Sequence, residues 1–325
     1  MRYAGTATPF KGVRVYARAA MGCPGSETAL EELMNRVIGH LVMQGSAAKV
    51  ADDCYCGGDT VESALAAYEQ LLKAFSDNDL VLNPVKTVVF PKRCVILGWV
   101  WELGTLSASP HRIAALTAIE PPSTVKALRS FIGAYKYISR VIRWHSDYVN
   151  PLDQIVAGKD SKEKLTWTED MLTHFRRCQD SLKTCEPIHI AKPSDQLWLH
   201  TDAAVRPATS TVGGLAATLF LVREDKVLLG GFFNAPLKKA QRLWLPCEVE
   251  ALAIGSAVTY FSPIIIQSHH RASVLTDSKA CVQAYERMCR GLFSHSARVM
   301  TFLTAYLPQG GKGHSFYRLR ESSSY

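Results

Sequence analysis

The chain has 325 residues, 47% hydrophobic and 20% charged, and carries a formal net charge of +8. That apolar share excludes an intrinsically disordered chain, and the length suits about two domains. No apolar run reaches about 18 residues, which excludes a simple membrane-spanning helix, and the opening MRYAGTATPFKGVRVYARAAMG lacks the apolar centre of a secretory leader.

In chain order, residues 26–44 have the pattern of a helix. Thr28 and Glu31 are spaced as a capping box, Leu30, Leu33, Met34, Val37, Ile38 and Leu41 form one apolar face, and Gly45 stops it. Residues 49–55, bounded by small residues, suit a tight β-hairpin. A second capping box, Asp59 with Glu62, opens a helix bearing Leu65, Tyr68, Leu72 and Phe75. Two β-rich runs follow, 85–90 and 95–101, split by the turn-like PKRC. Beyond Gly104 the pattern is helical on both sides of Pro121-Pro122, with Ser123 as N-cap and a stripe of Val125, Leu128, Ile132 and Tyr135. Another helix covers 168–184. The runs QLWLHTDAAV, GGLAATLFLV and KVLLGGFFNA then predict an antiparallel meander, followed by a helix at 247–261, a strand at 272–275 and a helix after Asp277. The tail, PQGGKGHSFYRLRESSSY, is unpatterned and expected to be poorly ordered.

Five acids stand out. Asp52 and Asp53 are adjacent in VADDCYCGG, where like charges repel; the pair is either a solvated turn or half of a metal site. Asp202 and Asp277 end predicted strands, and Glu250 sits early in a predicted helix. Each alone has an ordinary explanation, as turn former, N-cap or dipole partner. Three convergent carboxylates instead require cations, and Mg²⁺ takes a few carboxylates plus water and phosphate oxygens. Glu248 is a second candidate for the helix position. From residue 86 to residue 143 there are nine Lys or Arg against Glu102 and Glu120, a natural place for a polyanion. Lys86, Lys92 and Arg93 suit phosphate contacts, and Trp99 and Trp101 are either core or base-stacking. His269-His270 suits a polar strand edge. Cys54 and Cys56 would point to opposite faces of a strand. Nine irregularly spaced cysteines fit reduced thiols and an intracellular, cytoplasmic protein with no membrane partner.

With those residues in view, the chain resembles the Pol polyproteins of LTR retrotransposons and retroviruses, over about residues 10–305. VADDCY is similar to the family's Y/V-x-D-D box, and LVLNPVKTVVFPKRCVILGWVW to the stretch that grips the primer end. LSASPHRIAALTAIEPPSTVKALRSFIGAYKYISRVI resembles a highly characteristic family segment. LWLHTDAA, EVEALAI and VLTDSKACVQAY are similar to the first three carboxylate motifs of ribonuclease H. The resemblance implies a multidomain α+β and α/β chain: the C-terminal part of a reverse-transcriptase palm (1–103), a helical thumb and connection (104–190), and a ribonuclease H-like domain with a mixed five-stranded sheet and flanking helices (191–325), truncated at its C-terminal end. It implies RNA-directed DNA synthesis and RNA–DNA hybrid hydrolysis by two-metal chemistry with Mg²⁺ (or Mn²⁺), on template–primer and hybrid nucleic acid, within a larger Pol polyprotein. Asp52 would be the palm's metal ligand, Asp53 more peripheral, and Asp202, Glu250 and Asp277 the nuclease ligands, the pattern E-x-x-A-I/L selecting Glu250 over Glu248. The resemblance also implies that Val50 and Tyr55 pair in the hairpin.

Two departures qualify this. Residues 1–25 contain no Asp to supply the palm's other metal ligand. After Asp277 the acids are Glu286 and Glu321, with no Asp as a fourth nuclease ligand. The expectation is a chain inactive as a polymerase and weak or inactive as a nuclease; the alternative is a non-catalytic nucleic-acid-binding remnant.

Overall fold

The computed structural model describes residues 5–9, 12–15, 22–23, 25–58, 60–204, 213–293, 296–304 and 317–322. The chain divides into two compact units, Met1–Phe90 and Pro91–Tyr325.

The first unit holds an antiparallel pair, β1 (Gly5–Thr8) and β2 (Gly12–Val15), then helix α1 (Ser26–Met43), a hairpin of β3 (Ala47–Val50) and β4 (Asp53–Cys56), and helix α2 (Val61–Ser76). Met34, Val37, Ile38 and Leu41 of α1 pack with Ala47 and with Leu71 and Phe75 of α2. The buried stripe is narrower than the apolar periodicity implies, since Leu30, Leu33, Leu65 and Leu72 are exposed. The first predicted capping box does not form. Gly25, in a left-handed conformation, is the N-cap, and Glu31 instead pairs with Lys49. At α2 the box is Thr60 with Ser63: each side-chain hydroxyl accepts the other residue's backbone N–H. Asp59 lies outside the described residues. Nor do residues 85–90 form a strand. Asn83 organises a turn, its side-chain oxygen accepting from Val85 N and its carbonyl from Lys86 N and Thr87 N.

In the second unit, β5 (Arg93–Ile96), β6 (Trp99–Glu102), β7 (Thr105–Ala108) and the short β8 (Ile188–His189) form one antiparallel sheet in that order. The predicted single run at 95–101 is thus split by a turn. Leu97 and Gly98 both have positive φ, 52° and 79°, the two-residue geometry that matches strand twist. Gly98 is doubly constrained, because a Cβ there would stand 2.6 Å from the Arg112 guanidinium carbon. Helices α3 (Pro110–Thr117), α4 (Val125–Tyr137), α5 (His145–Val156) and α6 (Glu169–Ser181) follow. Thr124, not Ser123, caps α4, accepting Ala127 N at 3.2 Å; the Ser123 carbonyl is taken by Leu165 N. The stripe Val125, Leu128, Ile132, Tyr135 is buried as its spacing predicts, and the Tyr135 hydroxyl shares a 2.7 Å hydrogen bond with Ser181.

The remainder is a mixed five-stranded sheet. β9 (Gln196–Ala204), β10 (Gly214–Arg223) and β11 (Lys226–Pro236) form the expected meander, and β12 (Ala272–Thr276) and β13 (Tyr317–Glu321) extend it on the β9 side. The order is β11-β10-β9-β12-β13, with β12 parallel to both neighbours. Helices α7 (Pro246–Tyr260), α8 (Ser262–Gln267), α9 (Lys279–Cys289) and α10 (Ala297–Leu303) complete the region. α7 is apolar on nearly all sides because it is covered by the sheet and by α10. Gly255 permits that approach, since a Cβ would meet the Phe302 carbonyl oxygen at 2.9 Å. β13 corrects the expectation for the tail. Within it YRLRE is an ordered edge strand, anchored by Tyr317, which is fully buried and donates to the Leu303 carbonyl at 2.6 Å. Among the described residues, no helix is long and apolar enough to cross a membrane.

Candidate functional site

β9 and β12 are adjacent and parallel, so their C-terminal ends open on the same side of the sheet. Asp202 lies two residues before the end of β9, opposite Ala216 of β10. Asp277 is the first residue past β12. α7 packs against β9 and β10 and carries Glu250 near its start. Topology thus gathers three acids that are 48 and 27 residues apart in sequence (250 − 202; 277 − 250).

Their surroundings separate structural from free carboxylates. Glu248 is buried and committed. It accepts from Leu245 N at 3.2 Å, from the Ser296 hydroxyl at 3.0 Å and from Arg298 at 3.1 Å. Burial alone would raise its pKa, but those donors outweigh it and hold the carboxyl below its usual range. Glu248 is therefore the helix-start residue, as the sequence pattern expects. Glu250 is the reverse case. Its Oε2 is buried with no hydrogen-bond partner. Burial first, then the charges of Asp277 and Asp202, push its pKa up to about 7, against one opposing donor, the Ala203 backbone N–H. Asp277 does not serve as the α9 N-cap; that role belongs to Ser278, which accepts Cys281 N at 3.4 Å. Cys281 registers the same cluster of acids. Its thiol is pushed up to about 11, chiefly by burial, with Glu250 and Asp277 adding to the shift.

The acids are neighbours rather than a finished cage. Among the described residues, no three His, Cys, Asp or Glu side chains already stand in a set that could hold a metal ion. Their chemistry still fits a hard divalent cation: the donors are carboxylate oxygens, and the orphaned Glu250 oxygen is in need of a positive partner. Sequence reasoning gave no role to Glu321. It ends β13, in register with Thr276 and so beside Asp277, and pairs with Lys279 at 3.5 Å. The alternating YRLRE was the available signal.

The other predicted acids sit differently. Asp52 lies in the two-residue turn between β3 and β4, after Ala51 at a positive φ of 54°. Asp53 opens β4 opposite Val50, and Tyr55 pairs with Ala48, not with Val50. Both aspartates are exposed, and the Tyr55 hydroxyl donates to Asp53 at 3.4 Å. No third acid joins this pair among the described residues.

The four residues expected to touch nucleic acid diverge. Lys86 and Lys92 are exposed, and Arg93 is exposed and pairs with Glu102 at 3.6 Å. Trp99 is 7% exposed and packs against Tyr137, with ring centroids 5.7 Å apart. It is a core residue, so no base can stack on it. Trp101, two residues further along the same face of β6, is exposed. His269 and His270 lie in the loop before β12 rather than on a strand.

No protein-family model matches the chain. Among curated proteins it is 24% identical over 192 residues to the retrovirus-related Pol polyprotein from transposon opus of Drosophila melanogaster, covering 57% of this chain and 18% of that protein. It is 20% identical over 270 residues to the transposon Tf2-3 polyprotein of Schizosaccharomyces pombe, covering 83% and 19%. The chain is thus similar to retroelement Pol polyproteins. It spans about a fifth of the length of these Pol relatives. In three dimensions it is similar to the foamy viral protease-reverse transcriptase. The TM-score is 0.74 to one structure, in complex with double-stranded DNA, over 98% of this chain and 52% of that one at 13% identity. It is 0.72 to another, in complex with an RNA/DNA hybrid, over 99% and 41% at 12% identity. The fold is that of the retroviral reverse-transcriptase and ribonuclease H region, with the expected mixed five-stranded sheet and flanking helices.

Proposed function

We propose that the Asp202–Glu250–Asp277 group is a divalent-cation-dependent phosphodiester hydrolase site acting on the RNA strand of an RNA–DNA hybrid. One observation carries this reading: a buried, partnerless Glu250 oxygen whose pKa is raised to about 7 by burial and by Asp277 and Asp202. A bound Mg²⁺ or Mn²⁺ would supply charge neutralisation and an activated water. The chain's own residues would hold it: Asp202 and Asp277 from the sheet and Glu250 from α7, with the Ala203 N–H orienting the Glu250 carboxylate. Glu248 positions α7 through Leu245, Ser296 and Arg298. Glu321, at the end of the neighbouring strand, stands where a fourth acid would assist.

The Asp52–Asp53 turn is assigned no catalytic role; it is a vestige of a palm, and the chain is proposed to be inactive as a polymerase. Lys86, Lys92 and Arg93 are retained as template–primer phosphate contacts within a larger Pol polyprotein. Nine unpaired cysteines support an intracellular setting.

The test is cleavage of an end-labelled RNA–DNA hybrid with Mg²⁺ by the purified chain, with Asp202→Asn and Glu250→Gln as controls. Cleavage lost in both variants is expected. A second reading, non-catalytic binding, is favoured by the lack of a preformed donor set among the described residues. Salt-sensitive binding without cleavage, unchanged by both substitutions, would select it.

A further inference from the structure

The opposite end of the five-stranded sheet carries a second charged site. Asp202 and Asp277 lie at the C-terminal ends of β9 and β12; a cavity of about 520 Å³ opens at their N-terminal ends and runs along β13, lined by Gln196, His269, His270, Arg271, Ser273, Arg318 and Arg320. Three guanidinium groups and two imidazoles share it, with no carboxylate in the lining. Neither Arg271 nor Arg318 is held in an ion pair among the described residues. Like charges gathered in a concave surface raise its potential and concentrate anions.

The arrangement follows the strand register. Trp198, Ser273 and Arg318 are aligned across β9, β12 and β13, and His200, Leu275 and Arg320 form the next row. Arg318 and Arg320 therefore share a face, two residues apart along an edge strand, about 6.6 Å. Arg320 lies over the half-buried Trp198 indole, 5.7 Å from the ring centre. A guanidinium–indole plate beside unpaired arginines combines a stacking surface with phosphate donors. Gln196 does not compete for a ligand, because its amide is tied to the Leu197 and Arg271 carbonyls, which also fixes the loop into β12.

We propose that this cavity, which contains none of the carboxylates of the Asp202–Glu250–Asp277 group, binds the phosphodiester backbone of a single nucleic-acid strand. The site does not depend on the hydrolase reading, and it is tested without metal on a strand that offers no hybrid to cleave.

The experiment is fluorescence anisotropy of a labelled oligothymidine with the full chain, in EDTA, as a function of KCl concentration. The double variant Arg271→Ala/Arg318→Ala is compared with Lys162→Ala/Arg176→Ala, which removes the same charge from exposed positions elsewhere. The expected result is a shallower salt dependence, by about 1.4 in the log–log slope, about 0.7 for each lost phosphate contact, in the first variant only. Equal slopes in the two doubles overturn the proposal. Should the first double fail to melt cooperatively, the exposed single variant Arg318→Gln carries the same comparison at about 0.7. Displacement of the strand by inorganic phosphate at matched ionic strength also overturns it, since the cavity would then be a site for free phosphate.

Discussion

The chain has two groups of acids at strand ends, and they differ in what surrounds them. Asp52 and Asp53 occupy an exposed hairpin turn, where water solvates both and a tyrosine hydroxyl meets one. Asp202, Glu250 and Asp277 come from three elements, and one of their oxygens is buried without a partner. Adjacency in sequence therefore says little about electrostatic cost. The pair with neighbouring numbers lies open to water, whereas residues far apart in sequence build the site where the Glu250 charge is hard to hold. The largest effect should expose that difference. Asp202→Asn is expected to reduce Mg²⁺-dependent hybrid cleavage at least about hundredfold, and Asp52→Asn to leave it unchanged. Equal losses in a cleavage assay would erase the distinction.

Stability against pH sharpens it next. The Glu250 pKa is raised from about 4.5 unfolded to about 7 folded. Below the lower value both states hold the proton and the site costs nothing. As pH rises toward 7 the unfolded chain releases its proton first, so stability falls, and above 7 the full penalty applies. Glu250→Gln should therefore stabilise the second unit by on the order of 2 kcal/mol at pH 8, after a discount for partial solvent screening, and by nothing at pH 4. Asp52→Asn should stay within about 0.5 kcal/mol at either pH. Urea denaturation at the two pH values reads both. A cation should act in the same sense as the amide. Mg²⁺ at about ten times its dissociation constant is expected to stabilise the chain by about 1.4 kcal/mol near pH 8. The melting shift should vanish in Asp202→Asn/Asp277→Asn and persist in Asp52→Asn; a shift lost only in the latter would move the metal site to the hairpin.

The same contrast explains what could be read from sequence. The meander, α7 and the stripe of α4 were legible because burial repeats along a single element, at period 2 or 3.6. So were the positions of Asp202, Glu250 and Asp277 at element ends beside apolar runs. What failed were features decided by partners remote in sequence. β13 reads in sequence as part of an unordered tail, because an edge strand of alternating Tyr, Arg, Leu, Arg is defined only by the β12 it lies against. Trp99 reads in sequence as a candidate base contact, although the Tyr137 ring 38 residues away (137 − 99) packs on it and it is buried. Residues 85–90 have the composition of a strand, but the Asn83 turn takes up the N–H groups at their start.

Helix caps give the smallest and most local version of this test. Thr28 has the spacing of a capping box with Glu31, yet it lies inside α1, whose N-cap is Gly25, and Glu31 is engaged with Lys49 across the β3 hairpin. Thr60 meets the condition that Thr28 misses. Its φ of −126° is extended, and its hydroxyl accepts Ser63 N while Ser63 answers at Thr60 N. Thr60→Ala should therefore cost about 1 kcal/mol of the first unit's stability. Thr28→Ala should be neutral or slightly stabilising, because alanine is the better helix-interior residue by a few tenths of a kcal/mol. Chemical denaturation monitored by helix content measures both. A larger cost at Thr28 than at Thr60 would mean that the sequence spacing, and not the extended backbone at Thr60, marks where the helix is capped.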